Sequence, residues 1–246
     1  DAASPSFGRR LGEPAGPVAV DASASGSSGA YNGTVTYAQA GPITGDTNGV
    51  ALNGVDGLVV SNKTSSPSQF SAEAWFKTTS TTGGKIIGFG NVPAGFDFSG
   101  NPATSWNYDK HVYMTNDGRI VFGVWNGQAD TITSPTALND GQWHHVVATQ
   151  GPSGMALYVD GVLDQSNGVT GNQGYNGYWR AGGDNLDWWP DQPATAYVTA
   201  SIDEVAVYGG ALSAARVAAH YTASGNNIPD TQAPATAASP APAEQP

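Results

Sequence analysis

The sequence predicts an all-β fold, an antiparallel two-sheet sandwich with one short C-terminal helix. Three observations predict it. Short runs alternate apolar and polar residues at period two; Gly, Asn, Asp and Pro turn signals separate them; and a single segment near the end has helical spacing.

The elements follow in order. Phe70–Thr78 (FSAEAWFKT) alternates, with Phe70, Ala72, Ala74 and Phe76 on one face. His111–Thr115 and Arg119–Trp125 flank Asn116-Asp117-Gly118, a hairpin signal because Asp-Gly accepts positive φ. Trp143–Thr149 and Met155–Asp160 flank a Gly-Pro-Ser-Gly turn, and Asp160-Gly161 turns the chain again. Ser201–Tyr208 is the last strand. The helix runs from Ser213, a good N-cap, to about Thr222, with Val217 and Tyr221 as an i, i+4 pair. Facing strands predict a core of Phe70, Phe76, Ile120, Phe122, Val124, Met155, Leu157, Val159, Val205 and Val207.

The 246 residues suffice for one large domain with tails. Residues 1–8 read as an N-terminal tail and 9–225 as the sandwich. Residues 226–246 read as a Pro/Ala-rich linker to further domains of a longer secreted chain. No leader-like stretch stands at the N-terminus, so the chain reads as mature or excised. Charged residues make up only 12%, while glycine numbers 33, which gives a neutral, turn-rich surface. With 20 acids against 9 bases and a net charge of −11, the charge argues against nucleic acid and anionic membrane surfaces as partners. No apolar run approaches the roughly 18 residues of a membrane span. The absence of cysteine excludes disulfides, thiolate zinc sites and cysteine nucleophiles.

Several segments carry a family signal. DGQWHHVVAT (Asp140–Thr149) and GMALYVDGVL (Gly154–Leu163) resemble the central hairpin of laminin-G-like, concanavalin A-like lectin/glucanase domains. SIDEVAVYGGALSAARVAAHY (Ser201–Tyr221) resembles their closing strand and helix, and the segment RLGEPAG through DASASGSSGAYNG (Arg10–Gly33) their opening strand and glycine-rich loop. The resemblance spans about 210 residues and implies a jelly-roll topology. Two positions depart from the pattern: Arg9 stands where an aromatic is usual, and Ser25 or Ser27 where an Asn is usual. The resemblance also implies a structural calcium held by Asp21, Asp203 and the carbonyls of Ser25 and Gly26. Independently, Asp203 shares a strand face with Val205 and Val207, where a carboxylate needs a hydrogen-bond or metal partner.

The segment Asp184-Asn185-Leu186-Asp187-Trp188-Trp189-Pro190-Asp191 stands apart. Two adjacent indoles in a polar loop cannot easily share one core, and an exposed indole stacks on a sugar ring. With Tyr175, Tyr178, Trp179, Trp106 and Tyr108 it predicts a carbohydrate platform; the alternative is a loop that folds back over its own aromatics. His144 and His145 face opposite sides of a strand, which argues against zinc; Asp109 and His111 lie on one side of a strand start, where a plain structural role is expected ahead of a charged hydrogen-bonded pair. Sandwich glucanases place carboxylates by a Glu-x-Asp-x-x-Glu strand, which has no counterpart here: Glu73 stands alone and Asp203-Glu204 diverge. Asn32-Gly33-Thr34 and Asn62-Lys63-Thr64 match the glycosylation sequon, as chance allows in so hydroxyl-rich a chain. The expectation is therefore a secreted, calcium-stabilised carbohydrate-binding module without catalysis. The alternatives are an adhesion or spacer domain that contacts protein and, behind it, a glycoside hydrolase.

Overall fold

The computed structural model describes residues 5–23, 25–43 and 49–228. The predicted linker, from residue 229 onward, lies outside the described residues. The chain opens with β1 (Phe7–Arg9), β2 (Val18–Ala19), β3 (Gly29–Asn32), β4 (Val35–Gln39), β5 (Gly49–Asn53) and β6 (Leu58–Val60). Next come β7 (Thr64–Ser65), β8 (Phe70–Lys77), β9 (Gly84–Gly90), β10 (Tyr108–Met114), β11 (Ile120–Trp125) and β12 (Ala129–Thr133). Then follow β13 (Trp143–Gly151), β14 (Gly154–Val159), β15 (Val162–Asn167), β16 (Asn176–Ala181), β17 (Thr199–Tyr208) and α1 (Ala214–Ala223).

The strands form two antiparallel sheets of a jelly-roll sandwich. One runs β15-β14-β13-β8-β17-β5-β4, with β1 also paired to β17; the other runs β12-β11-β10-β9-β16-β6-β3-β2, with β7 on β16. The inner faces meet in one core. Phe70, Ala72, Ala74 and Phe76 of β8 pack there with Ile120, Phe122 and Val124 of β11 and with Val205 and Val207 of β17. Of the expected core, Met155 and Leu157 are fully buried and Val159 is partly buried against it. Asp160 and Gly161 both have positive φ, as a two-residue type I′ hairpin turn requires.

Each sheet is also capped on its outer side. On the first, α1 lies over Val147, Tyr158, Ala206 and Tyr208, with Val217 buried and Tyr221 stacked 5.6 Å from Trp75. On the second, the segment around Leu186 and Trp189 covers Tyr113 and Val121. This second layer explains why β8 is buried on both faces although its sequence alternates.

The first strand starts earlier than expected. Phe7 and Gly8, assigned by sequence to a tail, pair with Val207 and Ala206, and Phe7 is buried. Three residues are too few to show a period, so the strand was invisible to patterning.

Candidate functional site

The outer face of the second sheet carries a groove whose foundations are buried charges. In β10 the pairing with β9 shifts register between Asp109 and Val112, and Lys110 has φ +55. The bulge turns the Asp109 carboxylate inward. Its Oδ1 accepts from the backbone N of Lys110 and of Trp125, both at 2.6 Å. Its Oδ2 accepts from Lys110 Nζ and from the backbone N of Gln173, both at 3.0 Å. One buried carboxylate thus fixes the end of β11 and the segment before β16. Asp109 and His111 do not pair; both are buried, and His111 meets Trp189 edge-on at 4.4 Å.

A second buried carboxylate ties the two loops that form the rim. Asp184 Oδ1 accepts from the backbone N of Ser105 and of Asn185, each at 2.8 Å, and Asn185 Nδ2 donates to Ser105 O at 3.0 Å. Arg180 Nη1 lies 3.4 Å and Lys85 Nζ 3.9 Å from Asp184. Lys85 Nζ donates to Asn185 O at 2.8 Å, and burial pulls this ammonium down to about 7 despite Asp184. Tyr108 OH donates to Asp187 O at 2.9 Å, and Tyr113 OH donates to Pro190 O.

On this base stand the aromatics. Trp189 is buried against Tyr113, Val121 and Leu186, and it lies over Gly123, where a Cβ would come within 2.5 Å of its ring. Its neighbour Trp188 turns outward, 92% exposed, with φ +69. Trp106 is 78% exposed and Trp125 37%. With Asn107, Tyr108, Gln173 and Asp187 they line a groove of about 320 Å³ whose floor is Trp189.

The structure therefore brings together Trp188, Trp189, Trp106, Tyr108 and Asp187 of the predicted platform. It separates the others. Trp179 is in the core between Phe70 and Phe89. Tyr175 packs on Phe89 and donates to its carbonyl at 2.9 Å, and Tyr178 lies beside Leu58, Val60 and Tyr197. Asp184 and Asn185 serve as ties beneath the rim. Sequence reasoning missed Trp125, Asn107 and Gln173. Trp125 had a signal: Ile120, Phe122 and Val124 point inward, so Val121, Gly123 and Trp125 must point out.

The residues expected to hold calcium are arranged around donors. Asp21 accepts from Arg9 Nη1 (2.7 Å), Ser23 N (2.9 Å), Ser23 Oγ (2.7 Å), Ser25 Oγ and Ser27 N (2.7 Å). Burial would raise Asp21, but the hydrogen bonds from Ser25, Ser23 and Ser27 outweigh it and hold the carboxyl well below the usual range. Asp203 accepts from Glu204 N at 2.8 Å and lies against Gly49. Gly26 has φ +61 in the turn between Ser25 and Ser27. A cation at Asp21 would meet N–H and guanidinium donors rather than free lone pairs, so Asp21 as arranged does not fit it. Among the described residues no group of three or more His, Cys, Asp or Glu could hold a metal ion.

A larger cleft of about 590 Å³ opens beside α1 on the other sheet, with Glu73, Trp75, Tyr208 and His220 in its wall. Glu73 is buried, and His145, His220 and Tyr208 converge on it. His144, on the opposite side of β13, lies 2.9 Å from Asp160 and 3.1 Å from Asp140.

A two-sheet antiparallel sandwich of this topology defines a class of fold, and the sequence comparison agrees with it. The laminin G family model of the concanavalin A-like lectin/glucanases superfamily matches residues 52–218, and the chain belongs to that superfamily. No curated protein matches the sequence. Similar solved structures include the botulinum neurotoxin serotype G binding domain, at 14% identity and TM-score 0.60 over 89% of this chain and 50% of that one. The binding domain of Paraclostridial Mosquitocidal Protein 1 aligns at 13% identity and TM-score 0.62, covering 89% of this chain and 52% of that one. The receptor binding domain of botulinum neurotoxin mosaic serotype C/D does so at 18% and 0.58, covering 89% and 50%. The chain spans about half of each, and the likeness is one of fold.

Proposed function

We propose that this domain is a non-catalytic, secreted carbohydrate-binding module whose ligand stacks in the tryptophan groove. One observation carries the reading. Trp188 holds a left-handed backbone, which costs an L-residue about 1–2 kcal/mol, while its indole is 92% exposed. That turn sends Trp189 into the packing beneath and leaves the Trp188 indole facing solvent, where a stacking ligand can cover it. Trp106 and Trp125 offer further indole surface in the same groove, and Asn107, Gln173 and Asp187 supply polar groups for hydroxyls.

Absence of catalysis is part of the proposal. Among the described residues Asp187 is the one carboxylate that lines the groove, and Glu73 is engaged by two histidines and a tyrosine. Similar solved structures include binding domains of toxins, which agrees with an extracellular binding module joined to other domains. Calcium has no part in this reading, given the donors around Asp21. A second reading, adhesion to protein, is favoured by the exposed Phe96 and Phe98 in the segment between β9 and β10.

The test is a glycan array with wild type and with Trp106→Ala/Trp188→Ala. Glycan binding by wild type and its loss in the double variant are expected. A folded wild type that captures no glycan overturns the carbohydrate reading in favour of adhesion.

A further inference from the structure

We propose that the groove selects neutral pyranose chains and rejects acidic ones, whether the acid is a uronate, a sialate or a sulfate. This rests on the carbohydrate reading above and specifies its ligand class. Sugars that carry a carboxylate or sulfate are recognised by forks of Arg or by Lys, because an anion taken from water needs charge-assisted donors. Among the described residues no basic side chain lines this groove.

The bases nearest to it are all spent beneath it. The ammonium of Lys110 is held by Asp109 and by Gln173 O at 2.8 Å. That of Lys85 donates to Asn185 O. The guanidinium of Arg180 donates to Gly183 O at 3.1 Å and to Ala103 O at 3.0 Å, beside Asp184. All three side chains are fully buried. Freeing any one would strand a buried aspartate, so none can swing up to meet an anion.

What the groove does offer suits hydroxyls. Among the described residues the side-chain amides of Asn107 and Gln173 form no hydrogen bond, and each can both donate and accept. Asp187 is exposed at the rim, with Oδ1 accepting from Gln192 Nε2 at 3.1 Å, and its carboxylate can accept from sugar hydroxyls. That same charge opposes a second anion at contact distance, and the net charge of −11 opposes it at longer range. Apolar stacking on Trp106, Trp125 and Trp188 then supplies the attraction without charge.

The experiment titrates the full chain with neutral gluco-, manno- and galacto-oligosaccharides. The acidic arm uses hexuronate oligosaccharides, sialyllactose and sulfated disaccharides of matched length. Tryptophan fluorescence and calorimetry are read at low and at high salt. A neutral series that binds, with its acidic counterparts roughly tenfold weaker or more at low salt, is the expected result. Salt should narrow that gap. Asp187→Lys should raise the affinity for acidic ligands. Acidic sugars that bind as tightly as neutral ones, with Trp188→Ala abolishing both, would overturn the charge selection and leave the carbohydrate reading standing. Binding of neither class by folded wild type would overturn both. Neutral binding that survives in Trp106→Ala/Trp188→Ala would place the site elsewhere and also overturn the proposal.

Discussion

The Nε2 of His145 lies 2.6 Å from Oε1 of Glu73, in the middle of the sheet that α1 covers. His220 of α1 brings its Nδ1 to 3.1 Å from both carboxylate oxygens, and Tyr208 OH donates to Oε2 at 2.9 Å. A single buried acid therefore joins β8, β13, β17 and the helix. Burial alone would raise its pKa, but hydrogen bonds from His145 and His220 and their charge outweigh it and bring Glu73 down to about 2. Glu73→Ala should cost about 3–5 kcal/mol in urea unfolding, because it strands buried polar partners. The folded value lies below the ordinary 4.5, so the contribution is complete above that pH. It fades as pH falls through the window from 4.5 toward about 2. The melting temperature of wild type should fall across that window, and Glu73→Gln should fall less steeply; parallel curves would count against the linkage.

The two adjacent tryptophans should separate in their behaviour. Trp188→Gly keeps the positive φ and removes only an exposed ring, so stability should stay within about 1 kcal/mol of wild type while sugar binding is lost. Trp189→Ala empties a buried site against Tyr113 and Leu186 and should cost about 3 kcal/mol. Chemical denaturation of both variants checks this; equal losses would show that Trp188 also packs.

Gly123 is a glycine because Trp189 needs the space above it. An added methyl would sit 2.5 Å from Trp189 Cζ3, and a buried ring cannot swing aside as a flexible side-chain end would. Gly123→Ala should therefore destabilise by about 1–3 kcal/mol and weaken ligand binding together, read by unfolding and titration on one preparation.

Arg9 should take the structural place that a cation would otherwise fill. Melting curves in EDTA and in millimolar calcium are expected to superimpose, whereas Arg9→Met should cost about 3 kcal/mol by leaving Asp21 without its charge partner. A clear rise of the melting temperature with calcium would contradict this.

Period-two alternation made the sandwich legible where a strand was long and regular: β8 and β11 bury the residues their patterns assign. It failed at bulges. Lys110 and Glu204 take positive φ, so register shifts next to Asp109 and Asp203, and face assignments made by counting do not carry past them. It was also silent at β9, buried on both faces, where GKIIGFG shows no contrast to read. In the groove, the pair Trp188-Trp189 announced itself by composition. Asn107 and Gln173 did not, because nothing local distinguishes an amide that lines a groove from any surface amide. Trp179 misled for the opposite reason: an aromatic in a strand looks alike whether its face meets core or solvent.

The pairing of β1 with β17 sets how the domain would respond to a pull. The strands are antiparallel, with Phe7 opposite Val207 and Arg9 opposite Val205. Tension applied at residue 5 and at the far side of α1 meets the ladder at one end. It would open the ladder bond by bond, beginning where Ser6 N donates to Val207 O at 2.8 Å, instead of loading all its bonds in shear. On the other side the load must first strip α1 from Trp75 and Glu73 before it reaches β17. In a chain that tethers a ligand under flow, the weak mechanical joint would therefore be the first strand. The tryptophan groove, mounted on the opposite sheet, would keep its shape while that strand peels.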